Sequence, residues 1–338
     1  MAPETQGRQE GGPASLRAPA RLHPRGTGPL GQELAPRTPN GTPSPQVRCG
    51  SVDGLWLRSW TQSGLPEGAA AALPHLERQE AANNLLVGLL TAAARGRQEG
   101  CRHLDAVQHA DGTLLAVGLL TTKKYLLAPA ASAESVRLLA AAAAERHPDM
   151  PGWLGPTREA RLFADVWRGV SGQQSRIRMH MRIQQLTRVE ATPGARGHLV
   201  PVGPQHRELL ALWTERFARD IGNPRSEDWA AVAEAELHAG TTLLWANEEG
   251  EPVSMCAYGG PTPHGIRIRK VYTPPRHRRR GFAGTCVAAV SERLLAEGRH
   301  FCFLYTDLAN PTSNGVYRRV GYRPVCDVDD HELLPARA

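Results

Sequence analysis

The stretch 271–283, VYTPPRHRRRGFA, constrains this chain more than any other segment. It predicts a buried strand that ends at Pro274 and Pro275, a run of cations, and a helix that begins at Gly281. No Asp or Glu occurs from 252 to 291, while seven basic residues lie in the fourteen positions 267–280. They are Arg267, Arg269, Lys270, Arg276, Arg278, Arg279 and Arg280. A glycine at a helix N-terminus exposes backbone N–H groups, and the helix dipole favours an anion there. The stretch therefore predicts a cradle for a phosphate or pyrophosphate.

The composition is that of a globular protein with room for two domains. The chain has 338 residues, of which 41% are hydrophobic, so two units of ordinary size can each bury a core. It contains no apolar run of about 18 residues, the length of a membrane-spanning helix, and the N-terminus lacks the apolar region of a secretory signal. We therefore expect a cytoplasmic protein without a membrane partner.

The formal net charge of +7 does not by itself indicate a nucleic-acid partner. The first fifty residues carry six Arg and three Glu, and much of the other positive charge lies at 267–280. No helix-turn-helix, zinc-finger or RNA-binding signature accompanies it. The six cysteines form no CxxC pair and no His cluster has metal-ligand spacing, so we expect free thiols and no metal.

Composition divides the chain into a tail and two α/β units. Residues 1–50 contain nine Pro and eight Gly and almost no apolar periodicity, which predicts a disordered tail over 1–51. The stretch EATPGARG predicts a linker at 190–197, between a first unit at 52–189 and a second at 198–338.

Hydrophobic periodicity predicts the elements of the first unit. They are a helix over 76–94, a hairpin over 105–120, helices over 132–146 and 157–170 with Thr157 as N-cap of the latter, and a strand over 176–189. One face of the last strand carries Arg176, Arg178, His180 and Arg182. That face is either a solvated sheet surface or an anion site.

The second unit follows the order βααβββαβαβ. Its predicted elements are strands at 199–202, 243–245, 253–258, 266–272, 301–305 and 322–328, and helices at 206–221, at 226–238 with Ser226 as N-cap, at 282–297, and from an Asn310 cap to Gly321. In this order the strands before and after the helix at 282–297 are parallel neighbours. Asn310 then lies at the end of the later strand, where open α/β sheets bind their ligands.

The second unit resembles the GNAT superfamily of acyl-CoA-dependent N-acyltransferases over about 198–333. The superfamily signature Arg/Gln-x-x-Gly-x-Gly/Ala matches RRRGFA at 278–283, and NPTSNGVY at 310–317 matches the later helix of the family. The first unit repeats the rough element order without a signature match. It resembles the degenerate N-terminal half of tandem members. The resemblance implies two tandem α/β domains, each with a mixed, mostly antiparallel twisted sheet, helices on its faces and splayed strands at the cofactor crevice.

The resemblance also implies roles for individual residues. The backbone around Tyr272, at Val271 and Thr273, would pair with the pantetheine arm of the cofactor. The N–H groups of Arg279, Arg280, Gly281, Phe282, Ala283 and Gly284 would hold the pyrophosphate, with Arg276, Arg278 or Arg280 adding ion pairs. Asn310 and Ser313 would line the cofactor crevice.

Tyr317 is the candidate general acid, although it is alternatively a packing residue against the cofactor. Its phenol, of pKa ~10, is close enough to a leaving thiolate of pKa ~8.5 for proton transfer in the transition state. No general base is identified. Glu249, Glu251 and His264 fall near strand ends, where each is also a plausible turn or surface residue, and Asp307 either orients the amine or caps the next helix.

We therefore expect an N-acetyltransferase that moves an acetyl group from acetyl-CoA to an amine. The acceptor is a small-molecule amine or an amine of a peptide or protein, and the pattern gives no nucleic-acid partner. The alternative is a catalytically inactive module that only senses or binds acyl-CoA. The first unit is expected to shape the acceptor pocket.

Overall fold

The structure is a computed structural model that describes residues 50–52, 54–98, 100–190, 194–222 and 228–335. Positions 1–49 of the predicted tail lie outside the described residues, and so does the predicted N-cap Ser226. No helix in the described ranges has the length and apolar character that crossing a membrane requires.

The first half of the described chain alternates strands and helices. Its elements are β1 (Gly50–Val52), β2 (Leu55–Thr61), α1 (Leu65–Leu76), α2 (Asn84–Ala94), β3 (Cys101–His109), β4 (Leu114–Thr121), β5 (Tyr125–Leu127), α3 (Ala133–Arg146), β6 (Gly152–Pro156), α4 (Thr157–Ser171) and β7 (Ser175–Leu186). The predicted hairpin is confirmed as β3 and β4, and the predicted helix over 132–146 is confirmed as α3.

The second half repeats the order that β2 to β7 follow. Its elements are β8 (His198–Pro201), α5 (Arg207–Asp220), α6 (Trp229–Ala239), β9 (Thr242–Ala246), β10 (Pro252–Gly259), β11 (Gly265–Tyr272), α7 (Phe282–Ala296), β12 (Phe301–Asp307), α8 (Pro311–Val320) and β13 (Arg323–Leu333). The predicted order βααβββαβαβ is therefore confirmed.

The strands form one mixed sheet, in the order β1-β2-β3-β4-β5-β6-β13-β7-β12-β11-β10-β9-β8. Neighbours in the described sheet run antiparallel except at β5–β6 and β11–β12, where a helix crosses between the strands. Helices cover both faces. Leu244 of β9 packs with Trp213 of α5, while the adjacent Leu243 packs with Val287 of α7 on the other face. The predicted α/β class with a mostly antiparallel sheet is confirmed.

The two halves exchange their last strands. β7, from the first half, pairs with β12 of the second half, and β13, from the second half, pairs with β6 of the first. β7 and β13 also pair with each other along almost their full length. Because side-chain patterns within one half do not encode a partner in the other, the sequence gives no sign of this exchange.

The basic face of β7 is matched by an acidic face on β13. Arg178 Nε donates to Asp330 (2.8 Å), His180 Nδ1 lies 2.8 Å from Asp329, and Arg176 and Arg182 pair with Glu332 and Asp327. The four basic side chains are therefore paired with carboxylates of the neighbouring strand, and the anion-site alternative for this face is not supported.

The predicted single helix over 76–94 is wrong, because the chain breaks between α1 and α2. The Asn83 side chain donates to the Leu76 carbonyl (2.9 Å), which ends the first helix. Glu80 in the intervening turn accepts a hydrogen bond from the backbone N–H of His264 (2.8 Å). The break thus serves a contact with the second half, and the leucine periodicity alone does not reveal it.

Two predicted helix starts differ from the structure, by one position for α4 and by two for α6. Pro156 is the N-cap of α4, and Thr157 is its first residue, because the Thr157 hydroxyl bonds to Asp329 (3.0 Å) rather than to its own helix. Asp228, two residues after the predicted N-cap Ser226, is the N-cap of α6 and accepts a hydrogen bond from the Ala230 N–H (3.0 Å).

A buried carboxylate holds the core of the first half. Asp105 in β3 accepts hydrogen bonds from Ser59 (2.5 Å), Tyr125 (2.9 Å) and Arg146 (3.0 Å), and His103 lies 3.2 Å away. Burial opposes ionisation of Asp105, but the contacts with His103, Ser59 and Arg146 outweigh it and hold its pKa below the usual range. The carboxylate therefore stabilises the fold above about pH 4, and this contribution is lost as the pH falls.

We expect Asp105→Asn to lower the free energy of unfolding by about 3 kcal/mol, because it leaves the half-buried Arg146 without its counter-ion. The amide also places N–H groups against existing donors. Urea denaturation at pH 7 measures this, with Ser59→Ala as a control that keeps the ion pair, loses the hydroxyl's two hydrogen bonds with Asp105 and Arg146, and costs about 2 kcal/mol. An Asn variant as stable as the wild type would contradict the assignment.

Candidate active site

A crevice opens between two parallel strands, β11 and β12. The strands pair only over their first three residues, from Gly265 opposite Phe301 to Arg267 opposite Phe303. Beyond this point β11 and β12 each pair only with their outer neighbours, β10 and β7. The edges that face each other keep free backbone groups, so an extended ligand can pair with them.

A bulge in β11 lies beside the crevice. The register with β10 shifts between Arg269 and Tyr272, and Lys270 takes a left-handed φ of +50°. Glu236 of α6 anchors the bulge by accepting hydrogen bonds from Lys270 (2.8 Å), Arg269 (3.1 Å) and the Thr242 hydroxyl (2.7 Å). Burial opposes ionisation of Glu236, but these donors outweigh it and hold its pKa below the usual range. Non-glycine residues rarely adopt this φ, and bulges of this kind occur near functional sites.

The loop after β11 leads into the N-terminus of α7, and the backbone amides at this junction have no hydrogen-bond acceptor among the described residues. None of the six backbone N–H groups of residues 279–284 donates to a backbone acceptor within the described chain, and no side chain caps α7. The first bonded amide is that of Thr285, which donates to the Gly281 carbonyl (3.1 Å). A helix start of this kind is a ready anion site.

Backbone conformation shapes this loop into a concave surface. Arg279 has φ +62° and Gly281 has φ +84°, both in the left-handed region. A Cβ at Gly281 would meet only Ala195, at 3.8 Å, so glycine is required there by conformation and not by a lack of space. The end of the predicted linker closes one side, where the Ala195 N–H donates to the Thr285 hydroxyl (2.9 Å).

The basic cluster is partly neutralised by carboxylates from outside the segment 252–291. Arg278 pairs with Asp220 (2.5 Å) and Arg276 with Glu251 (2.9 Å). Within the described chain Arg279 and Arg280 have no carboxylate partner, and Arg280 lies 5.0 Å from the Phe282 ring centre. Among the described residues the expectation of uncompensated cations therefore holds for Arg267, Arg279 and Arg280. It is wrong for Arg276 and Arg278, and for Arg269 and Lys270, which pair with Glu236, because distant segments supply the counter-ions.

The predicted pantetheine edge and crevice residues lie at the open end of the crevice. Val271 and Tyr272 occupy the part of β11 that is unpaired toward β12, and the Thr273 carbonyl accepts a hydrogen bond from Arg278 (2.9 Å). Asn310 follows β12 and is the N-cap of α8, because its side-chain oxygen accepts a hydrogen bond from the Ser313 N–H (3.0 Å). The predicted cap is confirmed, while the cofactor roles of these residues stay predictions.

Tyr317 in α8 lies near the cradle because α8 packs on the first turn of α7. A Cβ on Gly284 would lie 3.6 Å from Val316. The Tyr317 ring packs edge-on against Tyr322 at 5.9 Å between ring centres. Burial raises the pKa of Tyr317, and the nearby Cys256 thiol raises it further, so the phenol stays protonated at neutral pH.

Each residue considered above as a general base or as a ligand for the amine either has another partner or lies elsewhere than at the crevice mouth. His264 lies at the paired end of β11, away from the crevice mouth, with Nδ1 2.7 Å from Glu80. Glu251 supports the loop through Arg276, and Glu249 is exposed in the β9–β10 turn. Asp307 accepts a hydrogen bond from the Ala309 N–H (2.8 Å), as expected of a cap.

The first half has an equivalent strand pair, but its helix start is already occupied. β5 and β6 are parallel and α3 crosses between them, as α7 does between β11 and β12. The Ser132 hydroxyl caps α3 by accepting a hydrogen bond from the Ser135 N–H (3.2 Å). The side chain of Leu127 fills the space beside Gly155, where a Cβ would approach to 2.5 Å. This helix start offers no comparable cradle.

One group in the described ranges has metal-ligating geometry, formed by His103, Asp105 and His147 in the first half. The Asp105 oxygen nearest the histidines already accepts from Ser59 and from Arg146. The cation of Arg146 opposes a metal ion at that oxygen.

The sequence did not reveal several side chains around the crevice. Glu236 lies on a helix with no motif, and Gln184 reaches in from the first half to donate to Thr306 of β12 (3.0 Å). Tyr305 of β12 donates to Asn84 of α2 (3.1 Å). Only the resemblance to tandem proteins signals that the first half contributes here, and it does not point to particular residues.

Comparison with known proteins agrees with this geometry. Residues 206–322 match the acetyltransferase (GNAT) family. A GCN5-related N-acetyltransferase from Sphaerobacter thermophilus shares 14% identity at a TM-score of 0.50 and covers 83% of this chain and 95% of its own. A Drosophila protein shares 13% identity at a TM-score of 0.55, and the alignment covers 83% of this chain and 99% of the Drosophila chain.

A tandem GNAT protein from the clavulanic acid biosynthesis pathway is also similar, at 13% identity, a TM-score of 0.49 and coverage of 84% and 99%. No curated protein sequence matches the chain. The Sphaerobacter and Drosophila structures share the fold, and the family match covers the crevice, the α7 start and all of α8. Residues 206–322 therefore form an acetyltransferase domain of the GNAT family, whose members transfer an acyl group from acyl-CoA to an amine.

Proposed function

We propose that the second half, residues 198–338, transfers an acetyl group from acetyl-CoA to an amine, and that it is the catalytic domain of a tandem protein. The observation that carries this proposal is the run of backbone N–H groups at 279–284, which have no backbone acceptor in the part of the chain that the structure describes, beside two strands that diverge. These amides suit a pyrophosphate, and so do Arg279 and Arg280, which have no carboxylate partner among the described residues. The edge of β11 at Val271, which is unpaired toward β12, suits an amide-bearing arm such as pantetheine, together with the backbone of Thr273 that follows it.

Acyl transfer by this site requires no covalent enzyme intermediate. The neutral amine attacks the thioester carbonyl carbon, a C–N bond forms, and the C–S bond breaks. Tyr317 gives its proton to the departing thiolate sulfur and regains one from solvent, while the amine nitrogen loses its extra proton to water. A raised pKa keeps Tyr317 protonated until the thiolate forms.

The first half, 52–189, acts as a non-catalytic partner in this proposal. Its α3 start is capped by Ser132, while β7 and α2 reach the crevice of the second half through Gln184 and Asn84. It therefore shapes the acceptor side of the site. Exchange of β7 and β13 makes the halves one folding unit, so we expect residues 190–338 alone not to fold stably.

A catalytically inactive acyl-CoA sensor is the second candidate. The observation that favours it is the burial of Tyr317, because a phenol of higher pKa is a weaker acid toward a thiolate. Such a sensor would bind acetyl-CoA in the same crevice without consuming it.

Release of the CoA thiol from acetyl-CoA across a panel of amines tests the proposal. Small amines, amino acids, aminoglycosides and a lysine peptide form the panel, and binding of acetyl-CoA is measured in parallel by calorimetry. We expect amine-dependent thiol release with at least one class. Tight binding without release from any amine would favour the sensor, and absence of binding would contradict both candidates.

A further inference from the structure

An arginine without a counter-ion lies at the point where the crevice strands diverge. Arg267 is the last β11 residue that pairs with β12. Its neighbours Ile266 and Ile268 pack on the α7 face, so the side chain of Arg267 lies on the opposite face. The guanidinium rests on Gly260, where an added Cβ would lie 3.5 Å from Nη2.

The guanidinium of Arg267 has no partner in the part of the chain that the structure describes. No hydrogen bond or ion pair joins it to a described residue, and its Nε is buried without an acceptor. Arg269, two positions along the same face, pairs with Glu236 and donates to the Tyr258 carbonyl. Burial lowers the pKa of Arg267, Arg269 lowers it further, and the Tyr305 phenol is the one group that opposes them. A half-buried cation with this environment is costly unless a ligand supplies the anion.

Both halves of the chain enclose the space around Arg267. Tyr305 of β12 lies two residues beyond Phe303, the pairing partner of Arg267, and therefore on the same face. Its hydroxyl donates to Asn84 of α2. α2 also approaches the loop before β11, where a Cβ on Gly88 would lie 3.3 Å from the Pro261 carbonyl. A ligand group here lies on the face away from α7, at the closed end of the crevice.

We propose that Arg267 binds a carboxylate of the substrate, held by the two-pronged hydrogen bonding that a guanidinium provides. This inference rests on the proposed acyltransfer and names its substrate class. The carboxylate belongs either to the acceptor, which is then an amino-acid-like amine, or to the far end of a dicarboxylic acyl chain on the donor. Both place a planar anion where the protein supplies none.

Equilibrium binding separates this inference from the acyltransfer itself. Calorimetry in the presence of CoA compares the affinity for amino acids with the affinity for the amines that lack only the carboxylate, for example phenylalanine with phenethylamine. A second arm compares succinyl-CoA with acetyl-CoA as ligands. We expect the protein to bind the carboxylate-bearing ligand more tightly in one of the two arms. In that arm Arg267→Met should lower the affinity for the carboxylate-bearing ligand about 30-fold or more and change the affinity for its counterpart by no more than about threefold. Arg267→Lys should recover only part of the loss.

Thermal unfolding provides the control for folding. Removal of an unpaired, half-buried charge should leave the Tm of Arg267→Met without ligand unchanged or raised, whereas Arg269→Met, which strips a partner from Glu236, should lower it. Equal binding of both members in both arms, or a preference that survives in Arg267→Met, would overturn the inference. Carboxylate binding without CoA release from acetyl-CoA or succinyl-CoA would instead refute the acyltransfer and leave the anion site in place.

Discussion

Gly281→Asp is expected to abolish binding of CoA, with a loss of affinity of about 100-fold or more. The carboxylate would lie at the N-cap of α7, where its oxygen competes for the free N–H groups of Ala283 and Gly284 and its charge repels a pyrophosphate. Calorimetric titration with CoA measures the effect. If CoA binds at the start of α7, this single added charge should be enough to abolish its binding.

Gly281→Asn is the matched control for this change. Asn has the same size, also tolerates the φ of +84° and also caps helices, but it carries no charge. We expect it to lose about tenfold in affinity or less, so the difference between the two variants isolates the electrostatic effect. Wild-type affinity in Gly281→Asp, or equal losses in both variants, would contradict an anion site at this helix start.

Tyr317→Phe is expected to lower kcat by about 100-fold or more, with the Kd for acetyl-CoA changed by less than about threefold. The substitution keeps the ring that packs on Tyr322 and removes only the proton that the leaving thiolate would take. Because burial raises the pKa of Tyr317 above its ordinary value, the acid stays protonated through the neutral and mildly alkaline range. The rate should therefore rise with pH as the amine loses its proton, without a fall from Tyr317 below about pH 10.

Tyr322→Phe is the control for Tyr317. Its hydroxyl bonds to Ser291 in the core (2.8 Å), so its loss should reduce stability by about 1 kcal/mol and leave kcat unchanged. Rates and stabilities of both variants, measured on one preparation, distinguish an acid from a packing residue. Unchanged turnover in Tyr317→Phe would show that solvent, or another group, protonates the thiolate.

The sequence predicts those parts of the site that depend on local chemistry. Gly281 at the start of α7 and Asn310 at the start of α8 are recognised because capping and left-handed backbone require particular residue types. The parallel arrangement of β11 and β12 follows from the helix between them. These features depend on neighbours in sequence, so a single chain is enough to infer them.

Features that depend on distant segments could not be predicted. The counter-ions of Arg276 and Arg278 come from Glu251 and Asp220, outside the basic cluster, and the exchange of β7 and β13 depends on contacts between the halves. Arg267 stood out in the sequence only as one of seven cations. The structure distinguishes it from Arg269 and Lys270 on the same strand, because both of these pair with Glu236 while the Nε of Arg267 is buried without an acceptor in the described chain.

Sub-second hydrogen exchange with and without CoA tests the central claim most directly. The unbonded amides at 279–284 should exchange rapidly in the free protein and slow markedly when CoA is saturating. Pantetheine, which has no phosphate, should leave them fast. A protein saturated with CoA whose 279–284 amides still exchange at the free rate would contradict a pyrophosphate site at the start of α7.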